Sequence, residues 1–358
     1  MSQDFQGTES TFYSMKLSDF DYDLPSDLIA RTPAKERTDS RLLVLDKCSS
    51  SVKHEMFRSL ENYLNPGDLL LLNDTRVIPA RLYGHKETGG RVEILLNEVR
   101  DPETDLWDCL SRSSRPLKPG TRIFFDEDLV GEIIAGAEHP CRLIRLTGPD
   151  DIAAALDRIG HMPLPPYLGR DDGPEDRERY QTVYAREAGA LAAPTAGLHF
   201  SNDYLHKLAS AGVEIHYLTL HVGLGTFLPV RATSINDHRM HEERFNISER
   251  TAEAVSRARH EGRRIVAVGT TVTRTLEAAW DPEAGQLRSG PGRTDIFIYP
   301  GYEFKAIDAL LTNFHLPQST LLMLVSAFAG RESVMNAYRE AIMYRYRFYS
   351  YGDCMLVQ

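Results

Sequence analysis

The feature that most constrains this chain is a change of texture part-way along it. Between Val77 and Leu146 short apolar or alternating runs follow one another at 92–99, 106–110, 122–125, 129–134 and 142–146. Gly, Pro and acidic turns separate them, and no helical period appears. Regular short strands of this kind predict a small antiparallel barrel or sandwich. The flanks read differently. Before the β stretch come a short helix at 24–30 with Ser26 as cap, a strand at 41–45, an amphipathic helix at 57–64, the turn Asn65-Pro-Gly-Asp68 and a buried strand of four leucines, 69–72. After Pro149 helices and strands alternate. Helices are expected at 151–159, 201–211 (capped by Ser201, stopped by Gly212) and 248–261, and from Gly269-Thr-Thr271 to Trp280. Two more are expected near 319–328 and 331–344, with strands at 213–222, 264–268 and 295–299. The Pro-rich 161–167 segment reads as an extended strap or hinge, and 281–292 as a loop.

Such alternation predicts a mostly parallel sheet covered by helices. The expected fold class is α/β: a Rossmann-like three-layer core with an inserted small antiparallel β-barrel domain. In residues this gives a loose tail at 1–14, a core at 15–68 and 150–358, and a barrel domain at 69–149. The length of 358 residues fits about two domains and needs no covalent staples. The four cysteines lie far apart and form no Cys-x-x-Cys, so neither a zinc site nor a disulfide framework is expected, and a reducing cytoplasm fits best. The first residues form no secretory signal, and the apolar run at 321–329 is too short to span a bilayer. A net charge of −10 argues against a nonspecific nucleic-acid coat but leaves room for a local basic groove.

Six blocks carry candidate chemistry, several of them placed where strands end, which is where open α/β sheets bind ligands. Thr195 and Gly197, in the loop before the 201–211 helix, could turn backbone N–H groups toward an anion or ribose; a plain capped loop explains them equally well. Gly223 and Gly225 follow a strand and would let a ligand approach the backbone, or simply make a tight turn; His221 precedes them. His238 and His241 stand three apart but lack a convincing third metal ligand, which favours solvated contacts. Thr312, Asn313 and His315 crowd beside Pro317 and need partners, either a ligand or the backbone. Arg345 and Arg347 interleave with aromatics including Tyr351, a mix that could meet phosphates and stack on bases, or form a helix end packed on the core. Arg76 and Arg81 are candidates for phosphate contact or for an interdomain pair.

Taken together, the blocks resemble one family from about Leu17 to Met355: the S-adenosylmethionine:tRNA ribosyltransferase-isomerases of queuosine biosynthesis. The strings are Leu28-Ile-Ala30, Asn73-Asp-Thr-Arg-Val-Ile-Pro-Ala-Arg81, Gly160-His-Met-Pro-Leu-Pro-Pro-Tyr167, Tyr180-Gln-Thr-Val-Tyr184, Ala193-Pro-Thr-Ala-Gly-Leu-His-Phe200, His221-Val-Gly-Leu-Gly-Thr-Phe227, Gly269-Thr-Thr271, Asp295-Ile-Phe-Ile-Tyr-Pro-Gly301, Thr312-Asn-Phe-His-Leu-Pro317 and Ser350-Tyr-Gly-Asp353. The resemblance implies an α/β core with a small barrel, a monomer and no metal. It also implies transfer of the ribosyl group of S-adenosylmethionine to a tRNA bearing 7-aminomethyl-7-deazaguanine at the wobble position. Adenine and methionine leave and epoxyqueuosine remains; S-adenosylmethionine is a consumed co-substrate rather than a cofactor.

Within that chemistry His199, His221 and His315 are the acid/base candidates and Asp295 an orienting carboxylate. Thr195, Gly197, Gly223, Gly225, Thr226, Asn313 and Tyr299 are the substrate-binding candidates. Arg76, Arg81, Arg345, Arg347 and Tyr351 are expected on tRNA. Two other classes compete. A methyl-transferring Rossmann enzyme is disfavoured because no Gly-x-Gly-x-Gly follows the first strand, and a noncatalytic tRNA-binding module would leave S-adenosylmethionine intact.

Overall fold

The computed structural model describes residues 15–136, 141–227 and 235–358, without the side chains of 226, 227 and 236. The expected tail at 1–14 lies outside that range. The core is a nine-stranded sheet in the order Gly290–Thr294, Glu243–Ile247, Glu214–Leu220, Leu69–Asn73, Ile265–Val268, Ala309–Asn313, Cys354–Val357, Arg41–Leu45, Val52–Met56. The four strands from Glu214–Leu220 to Ala309–Asn313 are mutually parallel. They read as unbroken apolar runs because both faces are covered. Leu69 and Leu71 point into a core shared with the Glu249–His260, Thr270–Ala279, Thr320–Ala329 and Arg331–Met343 helices. Leu70 and Leu72 point the other way, onto Phe57, Phe200 and the Asn202–Ser210 helix. Side chains in a strand alternate between faces, so one leucine run serves two layers.

Asp151, Ser201, Ser248 and Ser319 each cap a helix by accepting from the backbone N–H three residues on. Such a cap contributes about 1 kcal/mol. Ser26 makes no such bond; it opens a single 3-10 turn, Ser26–Leu28.

The inserted domain is a closed six-stranded antiparallel barrel, in the order Cys141–Thr147, Leu106–Ser113, Arg91–Asp101, Arg81–Lys86, Arg122–Phe124, Val130–Ala135. Closure leaves no free edge strand in so small a domain. Leu224, between the two glycines of the 223–225 loop, is buried in the barrel's own apolar cluster and ties the core to it.

Three expectations need correction. The sheet is mixed rather than mostly parallel: Glu243–Ile247, Gly290–Thr294, Cys354–Val357 and Val52–Met56 all pair antiparallel to a neighbour. Its likeness to a doubly wound sheet is confined to the parallel centre. The Leu69–Asn73 strand, assigned above to the barrel domain, is the middle of the core sheet, and the first barrel strand begins at Arg81. The 295–299 segment is not a strand. The pairing is made just before it by Gly290–Thr294, and the 281–292 loop also contains the small Trp280–Asp281 and Gln286–Leu287 hairpin.

Candidate functional site

Polar side chains gather at the carboxyl ends of the parallel strands, and Asn73 is their hub. Its Nδ2 donates to the Leu220 carbonyl (3.0 Å) and to Thr271 Oγ1 (3.2 Å). Its Oδ1 accepts from the backbone N–H groups of Leu220 (3.0 Å) and Thr75 (3.1 Å). A single buried amide thus ties the ends of two parallel strands to the first turn of the Thr270–Ala279 helix. Beside it the buried Asp74 accepts from Thr219 Oγ1 at 2.7 Å and from Arg186 Nη2 at 2.6 Å.

His221 sits on the same rim. Its Nδ1 lies 2.8 Å from Thr75 Oγ1, and its ring packs on Gly189, where a Cβ would come within 3.1 Å of the imidazole. Gly189 has φ +145, so the close approach depends on glycine. Partial burial lowers the His221 pKa, Arg244 lowers it further, and Asp74 and Glu98 oppose them. His221 Nε2 makes no hydrogen bond among the described residues, which leaves that nitrogen able to face a substrate.

Behind the 223–225 loop, Glu243 and Arg274 form a buried ion pair. The Gly223 N–H reaches Glu243 Oε1 at 3.4 Å, Arg274 Nε reaches the Ile296 carbonyl at 3.4 Å, and Arg274 Nη2 has no partner among the described residues. Gly223 approaches Asn97 of the barrel, and Gly225 approaches His241, with prospective Cβ contacts of 3.5 and 3.3 Å. Asp295 is exposed and makes no side-chain hydrogen bond among the described residues. Tyr299 is half-buried against Phe297, with ring centroids 4.9 Å apart. Thr226 follows Gly225, but its side chain lies outside the described residues.

His199 and His315 are placed for a different task. His199 is 4% exposed, with Nδ1 2.6 Å from Ser40 Oγ and Nε2 3.2 Å from Asn313 Nδ2. An amide N–H₂ can only donate, so Nε2 accepts and the proton sits on Nδ1. Burial first, then Arg37 and Arg347, push its pKa down to about 3. His315 is likewise buried, bonded to Thr312 Oγ1 at 2.9 Å, and pushed down to about 3 by burial. The expectation that His199 exchanges protons near neutrality is therefore corrected: both rings are neutral braces. Asn313 also donates to the Tyr349 carbonyl at 3.1 Å, while its Oδ1 has no partner among the described residues. Thr195 is half-buried, and Gly197 lies so close to Tyr184 that a Cβ there would be 2.1 Å from the phenol oxygen.

The expected tRNA residues divide. Arg76 is exposed and unpaired with any carboxylate among the described residues. Arg81 is turned inward, onto the Leu164 carbonyl (3.2 Å) and Glu93 (3.3 Å). Arg345 pairs with Asp27 at 2.7 Å, and Arg347 donates to the Thr32 carbonyl. Tyr351 is buried with its hydroxyl 2.8 Å from Asp176, so it offers no stacking face. No group of three or more metal-ligating side chains gathers among the described residues.

The residues sequence reasoning passed over are Asn73, Asp74, Ser40, Glu243 and Arg274. Asn73 and Asp74 share the 73–81 string with Arg76 and Arg81, whose charge is the stronger local signal; Ser40 and the ion pair carry none.

A polar rim at the carboxyl ends of a parallel centre, beside an inserted barrel, defines an α/β protein of the kind that binds ligands at its strand ends. Comparison with known proteins says which one of that class. The profile of a family described as "Queuosine biosynthesis protein" matches residues 17–357. The S-adenosylmethionine:tRNA ribosyltransferase-isomerase of Syntrophotalea carbinolica is 52% identical over 343 residues, 96% of this chain and all of that protein. The protein of the same name from Symbiobacterium thermophilum is 52% identical over 345 residues, with 96% and 100% covered. A solved structure, S-adenosylmethionine tRNA ribosyltransferase from Thermotoga maritima, is 41% identical, covers 95% of this chain and 100% of its own, and superposes with a TM-score of 0.55. This chain belongs to the queuosine biosynthesis family.

Proposed function

We infer that this chain is an S-adenosylmethionine:tRNA ribosyltransferase-isomerase. The observation that carries the reading is half-identity over the whole length of proteins bearing that name. We further propose the specific substrate: a tRNA whose wobble base is 7-aminomethyl-7-deazaguanine. The ribosyl part of S-adenosylmethionine passes to it and isomerises, leaving epoxyqueuosine, adenine and methionine. S-adenosylmethionine is consumed as a co-substrate, and the enzyme works as a cytoplasmic monomer with no resident cofactor or metal. No helix among the described residues is long and apolar enough to cross a membrane.

The carboxyl-end rim supports this chemistry. The sulfonium of S-adenosylmethionine acidifies the adjacent C5′–H, which a positioned neutral imidazole can remove. His221, with its free Nε2 and lowered pKa, is the side chain we assign to that step. Asn73 holds the strand ends around it, and Gly223 and Gly225 leave room for the co-substrate against the backbone. The test is product identity. Adenine and methionine should appear in equal amounts, and only with the modified tRNA; S-adenosylhomocysteine as the main product would replace this reading with methyl transfer.

A further inference from the structure

The chain is acidic overall, with a net charge of −10, and arginines such as Arg41, Arg170 and Arg186 are neutralised by carboxylates. One strip is different. Arg37, Arg76, Arg177 and Arg179 have no carboxylate within ion-pair distance among the described residues. Three of them are held by main-chain carbonyls instead. Arg37 donates to Leu198 (3.2 Å) and Glu178 (3.0 Å), Arg177 to Asp157 (2.7 Å) and Gly160 (2.6 Å), and Arg179 to Lys35 (3.0 Å) and Ala34 (2.7 Å). A carbonyl fixes a guanidinium in place without cancelling its charge, so the strip is both ordered and positive. The field shows on its neighbours: after burial, Arg179 is the next influence pulling the Arg37 pKa down.

Three of these cations, Arg37, Arg76 and Arg177, line an open groove together with Gln181, Thr182 and Asn202, with Glu178 as its one acidic member. In the adjoining segment Thr182 Oγ1 and Tyr184 Oη are buried without a partner among the described residues. The groove adjoins the site through Arg76, which follows Thr75, the residue whose hydroxyl bonds His221.

We propose that this groove takes the phosphate backbone of the tRNA, with Arg37, Arg76 and Arg177 as the phosphate-facing cations. The inference rests on the tRNA reading above and goes beyond it in naming the surface. Of the residues expected on tRNA, Arg76 is kept, while Arg81 is turned inward and Arg345 is paired on the surface with Asp27. A backbone lying along the groove passes the carboxyl-end rim, where a base turned inward would meet the co-substrate.

The experiment measures affinity for a tRNA transcript against salt for wild type, Arg76→Gln, Arg177→Gln, the double variant and a control, Arg257→Gln, on the outer Glu249–His260 helix. Each lost phosphate contact should flatten the slope of log affinity against log salt by about 0.7 to 0.9. Arg76→Gln and Arg177→Gln should each do so, and the double variant twice as much. The control should match wild type, and S-adenosylmethionine binding should be unchanged throughout. Wild-type slope and affinity in the groove variants would overturn the assignment while leaving the tRNA reading intact. Failure of wild type to bind tRNA would overturn both. Arg177 braces two carbonyls; should its variant not fold, the exposed Arg76 decides alone.

Discussion

His221 and His199 show how little a residue's identity says without its surroundings. Both are histidines in glycine-punctuated strings. His199 has both ring nitrogens occupied by Ser40 and Asn313 and is held neutral to about pH 3. His221 spends one nitrogen on Thr75 and keeps the other. A positioned base contributes roughly a hundred- to ten-thousandfold to rate, so His221→Gln should fold, bind S-adenosylmethionine and lose at least about a hundredfold in turnover. The pH profile follows from the sign of its shift. A lowered pKa keeps the ring neutral, and therefore basic, to below the ordinary histidine value of about 6.5. The wild-type rate should fall only as the pH drops through that lowered value, and the residual activity of His221→Gln should lack this acid limb. A variant within a few-fold of wild type, or one retaining the limb, would remove His221 from the chemistry. The sequence showed three histidines in suitable strings; it could not show which ring nitrogens were already taken, because Ser40 and Asn313 reach His199 from 159 and 114 residues away.

Elements were legible where their signals are local. Ser201, Ser248 and Ser319 begin helices, and all five interior barrel runs are strands. The 295–299 segment misled because its apolar alternation serves packing: Ile296, Phe297 and Tyr299 lie against the helical core without a strand partner. The real strand, Gly290–Thr294, carries Pro291 and two glycines, residues a strand accepts at the edge of a sheet, where this one lies. The 193–200 block forms a 3-10 turn, Thr195–His199, pressed on the 180–184 string. That contact makes a specific prediction. Gly197→Ala drives a methyl into the Tyr184 hydroxyl and should cost about 1–3 kcal/mol by overpacking. Removing that hydroxyl should recover part of the loss, so Gly197→Ala and Tyr184→Phe should be non-additive in denaturant melts. Strict additivity would mean that the two strings do not bear on each other.

At the scale of the molecule, the division into a sheet-and-helix core and a barrel could be read from periodicity, but strand partnership could not. Four leucines announce a buried strand; only pairing with Glu214–Leu220 and Ile265–Val268 makes them the centre of the core. Net charge misleads in the same way, since −10 conceals an ordered cationic strip. Both features depend on residues far apart in the chain, as does the site, which forms where strand ends from four parts of the sequence meet beside the barrel. The central claim is that this site transfers the ribosyl group of S-adenosylmethionine, and its most direct test is the fate of two labels. The enzyme is incubated with the deazaguanine-bearing tRNA and S-adenosylmethionine labelled either in the ribosyl carbons or in the S-methyl group. Ribosyl label should become acid-precipitable with the tRNA while methyl label leaves as methionine; methyl label on the tRNA, with ribosyl label left in solution, would contradict the account.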